Sequence, residues 1–521
     1  MAALLPTPID GCEQFTTKNK AMVREGVELS TDKVTELGAG VKVDAVERSK
    51  NAKGDNRLRI TSPVAGWLSE KTVEPFVRYD FLVVGPTGVV GGWMLKLLAE
   101  MDSGTHALLL PDDKKPTWAI AGRTKSKVEA LGRQYGVKAF VVDEKDAASF
   151  DRAVDAAKVV LAAAGPYRQK GPRMLLAACA HAAHKVVYFD LTGEYLLVGD
   201  VVKKHATEAA EKGNSLVQMV GPQEILTTEF GASLAVARLK ERTGCEAPFL
   251  EILTCANGAM SGGSVASGTM MQLEEKREKL DDPWGLTLDQ AAVEGRDDVP
   301  AGWKADVKEA WTDDRWGGAV HLGPAPLATG DCRILRRTAH ALRWNGSRAA
   351  GVKMYTIFEN ERSAKFMVYS VTAPPQQTLK AIEQGRLPKR GEGPTAAQSY
   401  GSAFTDVVIA HGSDASTTSR DGDVAVCSVI GEPGLGHGAA CGYVGSAYCM
   451  LVCGMAALRH PATAGAGLTP LTAFAGGGDI LARLKAVGYA FDLSDALPTG
   501  ESLAAGFKRN AAGEKLKATF K

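Results

Sequence analysis

The stretch Leu82-Val-Val-Gly-Pro-Thr-Gly-Val-Val-Gly-Gly-Trp93, LVVGPTGVVGGW, sets glycines at 85, 88 and 91 directly behind an apolar run. Such a run reads as a buried parallel strand, and glycines so spaced at its end bring backbone against phosphate. Gly85 takes the tight turn. Gly88 leaves no side chain where a pyrophosphate approaches, and Gly91 lets the next helix pack closely on the strand. Amides at the start of that helix, around Thr87 and Val89, then face the anion. The spacing is G-x-x-G-x-x-G rather than G-x-G-x-x-G. Strand-to-helix turns also use glycine for steric reasons alone, so the neighbouring sequence carries the reading.

Downstream, β-branched runs alternate with helical stretches. FLVV is followed by a helix from about 89 to 98, TWAIAG by one over 125–135, KAFVVD by one over 147–157, KVVLAAAG by one over 172–183, and then comes KVVYFD. Strands joined by helices predict a parallel sheet covered on both faces, wound by right-handed crossovers as a Rossmann-type domain. DSGTHALLLPDDKKP is longer than such a connection needs and reads as a surface insertion. The fold class is therefore α/β: a doubly wound parallel sheet with an inserted α+β substrate domain, preceded by a small all-β barrel.

The expected boundaries are 1–75 for the barrel, 76–222 for the nucleotide-binding domain and 223–430 for the inserted domain. A helical segment over 431–521 then packs back on the nucleotide fold and ends in a polar tail from about 493. In the barrel, Val27 with Leu29, Val41 with Val43, and Leu58 with Ile60 read as strands, and Trp67 as a core residue. The inserted domain takes strands at FLEILTCA, VKMYTIF, KFMVYSV and AFTDVVIA, and a solvated loop at AIEQGRLPKRGEGPTAAQ. The apolar span 439–458, interrupted by glycines, predicts a buried helix rather than a membrane span.

Composition bounds the chemistry. In 521 residues, 61 Lys and Arg oppose 60 Asp and Glu, so nothing pulls the chain as a whole toward nucleic acid. The nine cysteines are scattered without a CxxC pair, and no metal set is predicted. Reduced thiols and a missing secretory signal point to a cytoplasmic chain, with contact to a lipid or membrane surface left open.

The second strand selects the cofactor. An NAD enzyme offers Asp or Glu to the ribose hydroxyls there, whereas this chain has Ala121-Gly122-Arg123. A guanidinium suits a 2′-phosphate, so NADP(H) is expected over NAD(H). Asp143 ends the third strand as an adenine contact or a helix cap. Gly165, Pro166 and Tyr167 after the fourth strand, and Asp190, Thr192, Gly193 and Glu194 after the fifth, stand where nicotinamide would lie. Tyr167 could donate a proton or only stack. Asp190 and Glu194 could act in acid-base chemistry or only hold turns.

These stretches, with SGGSVASGTMMQL, RLPKRGEGPTAAQ and GEPGLGHGAACGYVGSAYCML, together resemble the saccharopine dehydrogenase-like oxidoreductases, trans-acting enoyl reductases included. The likeness runs from about Tyr79 to Leu451. It implies an NAD(P)H-dependent enzyme in which Ser261, Gly262 and Gly263 form a turn of the inserted domain. Two segments depart from the pattern: Gly221-Pro-Gln-Glu-Ile-Leu226 replaces Gly-Phe-Asp-Ser-Ile-Pro, and Ala439-Ala440-Cys441 stands where enoyl reductases tend to carry lysine. The first 75 residues resemble bacterial-type SH3-like domains through Gly66-Trp67 and the strands before it.

The implied activity is hydride transfer to a C=C or C=N bond of a small molecule, either lipid-like or polyketide-like, free or carrier-bound, or amino-acid-derived, in a homodimer. For a saccharopine-like substrate, Arg168, Lys170, Arg333, Arg336 and Arg337 are the candidate carboxylate partners. The alternative is a non-catalytic NADP-binding scaffold, or a lipid-surface protein recruiting partners through its SH3-like domain.

Overall fold

The computed structural model describes residues 7–103, 106–222, 225–278, 284, 293–303, 308–317, 320–412, 423–431 and 442–503. The chain divides into two units, Met1–Tyr79 and Asp80–Lys521.

The first unit holds β1 (Thr7–Thr17), β2 (Ala21–Arg24), β3 (Lys33–Leu37), β4 (Lys42–Lys50), β5 (Asn56–Ser62), β6 (Gly66–Ser69) and β7 (Val73–Pro75). They form an antiparallel sheet in the order β3-β2-β6-β5-β4-β1-β7. Phe15, Val23, Val43, Leu58, Ile60 and Leu68 point inward as its core. Two expectations are corrected here. Strand alternation turns Leu68 inward, so Trp67 is only half-buried. Val27 and Leu29 lie in a turn and not a strand, because the Thr31 hydroxyl bonds Glu28 O at 2.7 Å and accepts from Gly26 N at 3.1 Å.

The second unit begins with the Rossmann elements. They are β8 (Tyr79–Val84), α1 (Val89–Ser103), β9 (Trp118–Gly122), α2 (Lys125–Tyr135), β10 (Lys138–Val141), α3 (Ala147–Asp155), β11 (Ala157–Ala162), α4 (Lys170–His181), β12 (Val187–Asp190), α5 (Tyr195–Lys212) and β13 (Ser215–Val217). With β20 (Gly465–Leu468) they give a parallel sheet in the order β10-β9-β8-β11-β12-β13-β20. The first six strands follow the doubly wound order, with the reversal between β8 and β11. Ala163 N donates to Val84 O at that junction, at 2.9 Å.

A second sheet runs β15 (Trp311–Thr312), β16 (His321–Pro324), β17 (Gly351–Phe358), β14 (Phe249–Asn257), β18 (Ala403–His411), β19 (Val424–Gly431) and β21 (Ala490–Ser494). Only β14 with β17 is parallel among its pairs. Helices α6 (Leu226–Thr243), α7 (Gly262–Glu278), α8 (Ala328–Ala341), α9 (Glu361–Thr372), α10 (Pro375–Glu383) and α11 (Ala396–Tyr400) accompany it, followed by α12 (Gly442–Arg459), α13 (Pro470–Ala473) and α14 (Ile480–Ala486).

Three more expectations change. KFMVYSV is part of α9, capped by the Asn360 side chain accepting from Ser363 N. The segment read as a solvated loop begins inside α10. Leu493, taken as the start of a loose tail, pairs with Cys427 in β21; residues 504–521 lie outside the described part. The apolar span read as a buried helix is α12, whose Gly454 admits the Phe81 ring where a Cβ would stand 3.1 Å from it. Among the described residues no helix is long and apolar enough to cross a membrane.

Candidate functional site

The carboxyl ends of β8, β9, β11 and β12 open on a cleft of about 2420 Å³, whose far wall is built from α7, α9, α10 and the start of α12. That exceeds the roughly 300–1,000 Å³ of a pocket for one small ligand, leaving room for a dinucleotide and a second molecule.

The glycine turn forms its floor. Gly85 sits at φ +84°, a conformation glycine takes without strain, and a Cβ there would stand 3.0 Å from the Ala163 backbone. A Cβ on Gly91 would lie 2.1 Å from Gly85 O, so helix and turn touch directly. Gly88 differs: a Cβ there would meet nothing closer than Gly85 O at 3.4 Å. Packing does not demand glycine at 88, and its open side borders the cleft. This is a cradle that a Cβ would partly fill, as pyrophosphate binding requires.

Arg123 lies at the cleft edge with its side chain 68% exposed and N–H donating to Glu144 Oε1 at 3.1 Å. An exposed pair of this kind contributes about 0–1 kcal/mol, so a phosphate dianion can displace it. Asp143 does not border the cleft. Its carboxylate accepts from Lys145 N at 2.9 Å, closing the turn ahead of α3, and the preceding Val142 faces the cleft instead.

The turns after β11 and β12 are tied to each other. Glu194 is fully buried, and its carboxylate accepts from Tyr167 N at 2.8 Å, Arg168 N at 2.9 Å and the Ser267 hydroxyl of α7 at 2.7 Å. This one side chain fixes the Gly165–Tyr167 loop and joins it to the far wall. Tyr167 lines the cleft, but its hydroxyl donates to Ala162 O at 3.0 Å and accepts from Leu191 N at 3.4 Å.

Asp190 lies outside the cleft, fully buried. Its carboxylate accepts from Tyr188 Oη at 3.0 Å, Thr192 N at 3.1 Å, and Gln218 Nε2 and Met219 N at 3.4 Å each. Burial pushes its carboxyl up to about 7 against these hydrogen bonds. Thr192 is buried beside it, its hydroxyl accepting from Glu194 N, and Gly193 alone of that turn's expected cofactor residues reaches the cleft. Of the expected cofactor residues, Gly85, Thr87, Gly88, Val89, Arg123, Gly165, Pro166 and Gly193 border the cleft. Gly91, Asp143 and Thr192 stand behind it.

Of the five cations considered for carboxylates, Arg333 borders the cleft. Arg168 pairs with Asp200 at 3.0 Å and with Glu274, Arg336 donates to Trp303 O and Val352 O, and Arg337 donates to Ala466 O.

Sequence reasoning missed the polar cluster on the far wall. Tyr443, in the first turn of α12, accepts from Ser261 N, and its hydroxyl lies 2.8 Å from Ser264 Oγ, which in turn lies 3.3 Å from Ser261 Oγ. All three residues line the cleft. Ser261 and the two glycines after it were legible as a turn, which the structure continues as α7; Gly262 is required there because a Cβ would stand 1.8 Å from Lys389 O. Nothing in the local pattern around Tyr443 announced its partner, 179 residues away. The two departures from the family pattern lie wholly or partly outside the described residues, at 223–224 and 432–441.

Strand order and cleft define the class: a Rossmann-type α/β protein with a second sheet closing over the nucleotide-binding edge. The resemblance to the saccharopine dehydrogenase-like oxidoreductases is borne out by the relatives the chain matches. It is 27% identical over 286 residues to a trans-acting enoyl reductase of Mycobacterium leprae, covering 52% of this chain and 63% of that protein. It is 26% identical over 205 residues to a lipid droplet localized protein of Caenorhabditis elegans, covering 38% and 44%. The chain thus spans somewhat under two thirds of the enoyl reductase's length. No protein-family model matches. Among solved structures, apo saccharopine dehydrogenase (L-Glu forming) of Saccharomyces cerevisiae aligns over 80% of this chain and 99% of its own. Identity is 13% and the TM-score 0.42, so the architecture rests on the strand order above.

Proposed function

We propose that this chain is an NADPH-dependent reductase that delivers hydride to a polarised C=C bond of an apolar, acyl-type substrate. One observation carries the reading: the open edge at Gly88 and the Ser264–Tyr443 hydroxyl pair line the same cleft. The relatives named trans-acting enoyl reductase support it.

NADP(H), when bound, supplies the hydride. Gly85, Thr87, Gly88 and Val89 would hold its pyrophosphate, Arg123 its 2′-phosphate, and Gly165, Pro166 and Gly193 its nicotinamide end. Glu194 keeps the last of these sets in place. Reducing a C=C bond adds hydride at one carbon and a proton at the other. Tyr167 and Asp190 are committed to backbone and side-chain bonds behind the cleft, so we assign the proton to Tyr443, with Ser264 beside it. Met260, Met271, Leu327, Phe366 and Met367 make much of the far wall apolar, which suits an acyl chain better than a polycarboxylate. The lipid droplet localized relative is in keeping with such a substrate.

The test is NADPH oxidation by full-length protein with 2-enoyl thioesters of increasing chain length, beside an amino acid and 2-oxoacid pair. Turnover that rises with chain length, with Tyr443→Phe lowering kcat by about 10²-fold or more while NADPH affinity holds, supports the reading. Tight NADPH binding with no oxidation by either class overturns it and leaves a nucleotide-binding scaffold.

A further inference from the structure

Helices α9 and α10 and the loop that follows pack only lightly on the rest of their unit. From Glu361 to Gly393, Ala364 and Pro375 are the only buried residues. Large apolar side chains stand in water there: Phe366 is 66% exposed and Tyr369 58%, with Leu379 on α10 also exposed. Met260, Leu273 and Leu327, exposed as well, lie on the neighbouring cleft wall or beside it, so the apolar surface is continuous with the cleft mouth. Scattered single apolar residues need no explanation, whereas a contiguous group around a cavity does.

The charge of this segment identifies what it meets. Residues 361–393 carry Arg362, Lys365, Lys380, Arg386, Lys389 and Arg390 against Glu361, Glu383 and Glu392, in a chain whose total net charge is only +1. Arg362, Phe366 and Tyr369 fall at i, i+4 and i+7, so cation and rings share one face of α9. Apolar and aromatic side chains ringed by Lys and Arg are the composition of a surface that rests in an anionic lipid interface, rings in the acyl boundary and cations among the headgroups. A second copy of this chain fits worse, because a two-fold contact through this face would set like charge on like.

We infer that α9, α10 and the 384–393 loop form a docking face for an anionic phospholipid surface, and that docking turns the cleft mouth toward the lipid. An acyl substrate would then enter without crossing water. Docking itself is independent of the redox reading, since vesicle binding and NADPH oxidation can each fail alone.

The experiment is co-sedimentation of full-length protein with vesicles of phosphatidylcholine alone and of equimolar phosphatidylcholine and phosphatidylserine, with thermal unfolding and solution mass as controls. Expected are binding to the mixed vesicles that weakens with salt, and a roughly tenfold or larger loss in Phe366→Ser/Leu379→Ser at unchanged unfolding temperature and mass. Arg362→Gln/Lys389→Gln should lose the preference for phosphatidylserine while keeping residual binding. Four outcomes overturn the inference: no vesicle binding, equal binding to both compositions, unaltered binding by the serine variant, or a dimer of the wild type that this variant dissociates.

Discussion

The Glu194 carboxylate at the start of α5 accepts the Ser267 hydroxyl of α7 at 2.7 Å, joining the edge of the Rossmann sheet to the opposite wall of the cleft. Its other two bonds come from Tyr167 N and Arg168 N, so every lone pair used there is aimed at a donor. Glu194→Gln presents an amide N–H to one of these donors and leaves it unsatisfied. We expect a loss of about 1–3 kcal/mol in urea unfolding and weaker cofactor binding, whereas Ser267→Ala should cost less because the two backbone bonds survive.

The glycines of the opening stretch separate by mechanism. Gly91→Ala drives a Cβ to 2.1 Å from Gly85 O and should destabilise the protein by about 3 kcal/mol, whether or not cofactor is present. Gly88→Ala meets only ordinary contacts, so its unfolding midpoint should stay near wild type while NADPH binding, followed by nicotinamide fluorescence, falls markedly. Equal loss of stability in both variants would count against a phosphate site at Gly88.

Arg123 and Glu144 make opposite predictions. Arg123→Ala should weaken NADPH roughly tenfold and leave NADH nearly unchanged. Glu144→Gln removes the carboxylate that holds Arg123 at 3.1 Å and that would face the 2′-phosphate, and should tighten NADPH severalfold. Isothermal titration of both cofactors reads both effects. A Glu144→Gln variant that weakens NADPH would contradict the assignment.

Asp190 sets a pH dependence whose sign follows from its burial. Its carboxyl titrates at about 7 when folded and near the ordinary value of 3.8 when unfolded, so the folded state holds the extra proton between them. Stability from this group is complete below about pH 4, declines as pH rises, and is gone above about pH 7, a swing on the order of 4 kcal/mol. Asp190→Asn keeps an acceptor for Thr192 N and Met219 N, and its new amide donates to the buried, unpartnered Gln218 Oε1 once the Gln218 amide, which now points Nε2 at this site, turns over. The variant should gain stability relative to wild type between pH 5 and 8 in urea unfolding, and retain turnover within a few fold. Loss of turnover with intact NADPH binding would return Asp190 to the catalytic set.

The nucleotide fold was legible because its signals are local. A β-branched run, a glycine turn and an amphipathic stretch each occupy a dozen residues, and their alternation admits few topologies. That is why β8 to β12, the glycine turn and the position of Arg123 came out within a few residues. The all-β character of the first unit was legible for the same reason, while the inward choice between Trp67 and Leu68 depended on register.

Long-range pairing was not legible. Strands β20 and β21 are short segments near the end of the described chain that complete two different sheets, and nothing in four or five residues names a partner so distant. KFMVYSV has the composition of a strand, yet capping at Asn360 and packing through Ala364 make it helical, since tertiary contacts outweigh a local preference worth tenths of a kcal/mol per residue. The sequence by itself determined a dinucleotide-type sheet and the glycine turn at the end of its first strand. Only the tertiary structure decided that Asp190 is buried outside the cleft, that the Tyr167 hydroxyl is bonded to Ala162 O and Leu191 N, and that Tyr443 meets Ser264 across 179 residues, because a side chain's role depends on which groups compete for its hydrogen bonds once the chain has closed around it.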